Sequence, residues 1–124
     1  HLYQLNLKQR KTEQLTFHDG NDAAPRFNPK GTQIVFFSDI NGNCDLFLLD
    51  LPSRNLQQLT AQSTDECYPE FSPDGKKIVY QAMVDGKFQI FWLDLTQPLL
   101  KDSLIKILET KMTELARENK RKSK

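Results

Sequence analysis

The chain has 124 residues, enough for one ordinary domain with a modest core. Its 17 Lys and Arg against 16 Asp and Glu leave a net charge of +1, so no long-range field draws the whole molecule toward nucleic acid or an anionic membrane. No apolar run approaches the length of a membrane span, and no basic segment followed by an apolar one opens the chain.

In chain order, Leu2 to Leu7 ("LYQLNL") reads as a strand and Thr12 to Thr16 as a second. Because the chain begins with His1 rather than Met and is already in a strand, the start is expected to be a cut in a longer protein, with any signal upstream. "FNPKGTQIVF" (Phe27 to Phe36) then places a Pro and a Gly in a tight turn before an apolar, β-branched run. "NGN" (Asn41 to Asn43) and "DGK" (Asp85 to Lys87) are short hairpin signals, since Asn, Asp and Gly tolerate the positive φ of a type I′ turn. "FSPDGKKIVY" (Phe71 to Tyr80) repeats the earlier pattern almost word for word.

The repetition has a fixed step. Phe71 lies 44 residues after Phe27, and the same offset relates Pro69 to Pro25, Gly75 to Gly31, Ile78 to Ile34, Leu59 to Leu15 and Thr60 to Thr16. "LYQLNL", "LFLLDL" (Leu46 to Leu51) and "IFWLDL" (Ile90 to Leu95) are successive copies, and "QLT" recurs at Gln14 to Thr16 and Gln58 to Thr60. One period reads as four antiparallel strands, the size of one β-propeller blade.

"YPEFSPDGKKIVYQA" and "DGKFQIFWLDL", with "NLQQLT" closing the preceding blade, resemble the WD-like repeat of TolB-type β-propellers, also found in propellers of prolyl-oligopeptidase-family peptidases. The resemblance spans roughly Leu2 to Leu95. The Gly-His and Trp-Asp pairs of ordinary WD repeats are missing, with Leu49-Asp50 and Leu93-Asp94 standing where Trp-Asp would fall.

The expected fold is all-β: a partial β-propeller of about two four-stranded antiparallel blades, followed by a C-terminal α-helix. Residues 1–95 form the partial propeller, with 1–16 as outer strands of one blade, 24–60 as a complete blade and 68–95 as three strands of the last. Residues 96–124 form an amphipathic helix and basic tail, because Leu100, Leu104, Ile107, Leu108, Met112 and Leu115 share one helical face and "RENKRKSK" follows. That helix either caps the propeller edge, hangs as a weakly ordered tail, or binds a partner. A ring needs about four to eight blades, so the chain is read as a fragment or a self-assembling piece. If the ring closes through its termini, Leu95 ends the propeller and the remaining blades precede His1.

Nothing assembles a catalytic set: the two histidines, His1 and His18, have no Gly-x-Ser-x-Gly elbow to serve, and His18 is read as a solvated turn residue. No cofactor or metal is expected. Cys44 and Cys67 make no CxxC pair, and a disulfide between them requires the blades to bring their Cα atoms close. "DINGNCD" (Asp39 to Asp45) lacks the Gly and Glu spacing of an EF-hand loop. The loops "HDGNDAAPR" (His18 to Arg26) and "STDECYPE" (Ser63 to Glu70) are expected side by side at one mouth of the channel. There Asp22, Arg26, Asp65, Glu66 and Tyr68 form a candidate protein-binding rim, with Asp22 and Asp65 read as sharing a repeat position where they would brace the loop backbone.

The TolB resemblance implies a non-enzymatic protein-interaction scaffold in the periplasm, contacting a peptidoglycan-associated lipoprotein and other envelope-transport components. Its partners would be proteins, further blades or copies of itself, with no nucleic acid and no membrane span. The enzyme-class alternative is the regulatory propeller of a prolyl-oligopeptidase-like serine peptidase whose catalytic domain lies elsewhere.

Overall fold

A computed structural model describes residues 1–96 and 116–122. The described residues form three antiparallel sheets. The first pairs β1 (Tyr3–Asn6) with β2 (Lys11–Gln14). The second runs β3 (Asp22–Phe27), β4 (Gln33–Ser38), β5 (Asp45–Asp50), β6 (Leu56–Gln58) in chain order. The third runs β7 (Glu66–Phe71), β8 (Lys77–Val84), β9 (Lys87–Asp94). Residues 116–122 are helical, α1, while the apolar stripe from Leu100 to Leu115 lies outside the described residues.

The turns follow from their chemistry. Gly31 and Gly75 have φ of 70° and 73°, and each donates its N–H to the carbonyl three residues back, on Asn28 and Ser72, at 2.9 Å. Asp85 and Gly86 both have positive φ between Val84 and Lys87, which pair, so "DGK" is the tight type I′ turn its sequence predicts. "NGN" is not. Pairing of β4 with β5 ends at Ser38 and Asp45, leaving residues 39–44 as a wider loop in which only Gly42 has positive φ. The loop is spread by bonds to its neighbours: the Asp39 carboxylate accepts Asn21 N–H at 2.7 Å and Asn21 Nδ2–H at 2.9 Å, and Asn43 Nδ2 donates to the carbonyls of Gln62 and Thr64.

The innermost strands begin at Asp22 and Glu66, two residues ahead of the starts expected at positions 24 and 68. Ala24 and Tyr68, equivalent in the repeat, carry φ of 50° and 54° at a bulge, and Pro25 and Pro69 follow. Both strands lie at the edge of their sheets, where a residue without an N–H costs no ladder bond.

Two apolar layers hold the sheets together. Leu2, Leu15, Ile34, Phe36, Phe47 and Leu49 fill the space between the first and second sheets, with Phe36 and Phe47 stacked at 5.8 Å. Val35, Leu46, Leu48, Leu59, Phe71, Ile78, Tyr80 and Ala82 fill the space between the second and third. The middle sheet is therefore buried on both faces, which is why "IVFF" is apolar at successive positions rather than at alternate ones.

Candidate functional site

The repeated "QLT" is a latch between neighbouring sheets. Thr16 Oγ1 accepts the N–H of Leu2 at 2.8 Å and donates to Asp22 Oδ2 at 2.6 Å, joining the outer strands of one sheet to the start of the next. One period later Thr60 Oγ1 accepts the N–H of Leu46 at 2.9 Å, while the Glu66 carboxylate accepts the Thr64 hydroxyl. Gln14 and Gln58 complete the pattern, each donating Nε2–H to the carbonyl of its own Thr at 2.7 Å. The intervening Leu15 and Leu59 are core residues.

This geometry corrects two sequence expectations. Asp22 is the repeat partner of Glu66, and Asp65 that of Asn21, so Asp22 and Asp65 do not share a position. Nor do Asp22 and Glu66 face a rim. The Asp22 side chain is 0% exposed and Glu66 is 1% exposed, each drawn inward by a threonine hydroxyl that donates to it, Thr16 to Asp22 and Thr64 to Glu66. Asp65 is exposed, and it braces the loop backbone by accepting Cys44 N–H at 2.8 Å.

The two buried acids have different surroundings. His18 Nε2 lies 3.2 Å from Asp22 Oδ1, and His18 Nδ1 accepts the Gly20 N–H, which leaves the ring proton on the nitrogen facing the acid. His18 is thus a partly buried partner of Asp22 rather than a solvated turn residue. Glu66 faces Asp45 instead. Burial pushes its carboxyl up to about 7, opposed by the Thr64 and Thr60 hydroxyls and reinforced by the charge of Asp45. The two acids titrate as a coupled pair, each making it harder for the other to ionise.

What remains exposed is a strip along the adjacent inner strands β3 and β7. Arg26 Nε lies 3.1 Å from Glu70 Oε2, with the two side chains 52% and 57% exposed. The two residues are one repeat apart. Tyr68, 58% exposed, stands edge-on to Phe37 at 5.4 Å from a backbone of positive φ. The sequence reading found Arg26 and Tyr68 but passed over Glu70, although an acid 44 residues after an Arg was visible in the repeat.

A second exposed surface is apolar. Phe88, Ile90 and Trp92 of β9 and Val79 of β8 share the outer face of the third sheet. A groove of about 330 Å³ lies there, lined by Glu70, Phe71, Ser72, Lys77, Val79 and Trp92, with Lys77 Nζ 4.4 Å from the indole centroid. Among the described residues, no group of three or more His, Cys, Asp and Glu is placed to hold a metal ion, and no helix is long and apolar enough to cross a membrane.

A family model described as the TolB beta propeller domain matches residues 1–104. No curated protein matches the chain. Among solved structures, one named for TolB from Agrobacterium tumefaciens superposes with a TM-score of 0.67 at 20% identity, over 75% of this chain and 36% of that one. TolB from Acinetobacter baumannii superposes with a TM-score of 0.64 at 28% identity, over 77% of this chain and 24% of that one. The chain thus spans between a quarter and two fifths of the length of these structures.

Proposed function

The chain belongs to the TolB β-propeller domain family, and from that premise we propose that it is a non-enzymatic protein-interaction scaffold of the periplasm, working in envelope protein-transport complexes. The observation that carries the reading is the exposed strip on β3 and β7, where Tyr68 stands out beside the Arg26–Glu70 pair. Tyr68 projects from the bulge that both inner strands share and stays 58% exposed, and aromatic and Arg side chains are the usual anchors of protein interfaces. On this reading the apolar outer face of β9 is where a further sheet, from more of the propeller or a second copy, packs.

The test is a binding titration of the purified full chain against the soluble domain of a peptidoglycan-associated lipoprotein. Tyr68→Ala is expected to weaken binding about tenfold or more, the effect of truncating an interface anchor, with an unchanged far-UV spectrum. If the unaltered chain does not bind, or Tyr68→Ala binds equally well, the proposed role of this strip fails.

A further inference from the structure

Cys44 and Cys67 lie on opposite sides of the junction between the second and third sheets. Cys44 ends the β4–β5 loop and Cys67 is the second residue of β7. The Glu66 N–H donates to the Cys44 carbonyl at 2.8 Å, and the Cys44 N–H donates to Asp65 Oδ1 at 2.8 Å. The Cys44 backbone is therefore pinned on both sides to the two residues that precede Cys67. Both thiols are free and half-buried, and each acts electrostatically on the other. Neither cysteine is demanded by the repeat, since the matching positions hold Phe88 and Ala23. The pair is a property of this junction alone.

We propose that Cys44 and Cys67 form a reversible disulfide that covalently joins the second sheet to the third. With oxidised glutathione as the oxidant, the Cys44 thiolate attacks one glutathione sulfur, breaking the glutathione disulfide and releasing one glutathione thiolate. Cys67 then loses its proton and attacks the Cys44 sulfur, expelling the second glutathione thiolate. Two electrons and two protons pass from the protein thiols to glutathione, giving one protein disulfide and two glutathione thiols. The order follows from acidity, because burial pushes the Cys67 thiol up to about 12, which leaves Cys44 to supply the first thiolate. Burial also raises Cys44, so the reaction quickens as pH rises. Such a bond persists in oxidising compartments and is lost in reducing ones. The inference is independent of the interaction reading above.

The full chain, reduced and then treated with oxidised glutathione at mildly alkaline pH, is analysed by mass spectrometry after alkylation in denaturant. The expected product is a monomer lighter by two hydrogen atoms, unalkylated, with a Cys44–Cys67 link in its peptide map. It should form about tenfold faster in buffer than in guanidinium, because folding holds the two sulfurs together. Cys67→Ser should stop at the glutathione mixed disulfide on Cys44. Two alkylated thiols after oxidation, only intermolecular dimers, or a link that forms no faster in buffer than in guanidinium would each overturn the proposal.

Discussion

At the junction between the first and second sheets, the buried acid of the latch, Asp22, faces a histidine; at the junction between the second and third, its repeat partner Glu66 faces another acid, Asp45. The frame around them is the same. In both, a Thr hydroxyl accepts a strand N–H, a Gln amide caps the Thr carbonyl, and a Leu is buried between. The repeat therefore specifies where an acid sits, and the residues outside the repeat pattern decide whether it faces a histidine or a second acid. Only the second junction sets two acids against each other, and the two cysteines flank that same junction.

If the frame is truly common, emptying it should cost the same at either end. Leu15→Ala and Leu59→Ala each remove a fully buried side chain from an equivalent position, so each is expected to lose about 2–5 kcal/mol in urea unfolding. Near-equal losses support a shared frame. A loss confined to Leu59 would mean that the first junction contributes little to the cooperative unit, and the comparison would break.

The charge difference should appear as pH dependence. Glu66 holds its proton to about 7 in the folded chain, against 4.5 for an ordinary glutamate, so between those values the folded state binds a proton that the unfolded state has released. Stability thus falls as pH rises through that window, by at most about 3 kcal/mol, and levels off above it. Glu66→Gln should flatten this slope and leave the variant more stable than the parent above neutrality, read as thermal midpoints from pH 4.5 to 8. Asp39, Asp50 and Asp74 act the other way: hydrogen bonds to their carboxylates hold them below the usual range, and that contribution is lost only as pH falls below it. A variant with the parent's slope would assign the dependence to other groups.

Much of this frame was legible beforehand, for a physical reason. Pro, Gly and β-branched residues act locally, so Pro29 and Gly31, Pro73 and Gly75, and the runs at Ile34 and Ile78 announced strands and turns without any long-range knowledge. The wide β4–β5 loop was not legible because partners distant in sequence set it, Asn21 for Asp39 and Gln62 and Thr64 for Asn43. The burial of Asp22 and Glu66 was missed because a charged residue in a polar loop is read as solvated by default. A signal was present all the same: Thr16 and Thr60 each precede an acid by six positions, in register with the repeat. The strip on β3 and β7 was half visible, since Glu70 enters only through its pairing across the sheets with Arg26.

The smallest expected effect tests whether the two inner strands are aligned by charge or by packing. Arg26 and Glu70 pair at 3.1 Å, but each side chain is about half exposed, so solvent and salt screen the attraction. A double-mutant cycle with Arg26→Ala and Glu70→Ala should give a coupling of about 0.2–1 kcal/mol, falling toward zero at molar salt. That outcome leaves alignment to the apolar layer that joins Val35 and Leu48 to Phe71 and Ile78. A larger, salt-resistant coupling would mean that charge, and not the apolar layer alone, aligns the two strands. The cycle repeated in the presence of the proposed lipoprotein partner asks whether that partner covers the pair, because a docked partner raises the coupling only if the pair lies beneath it.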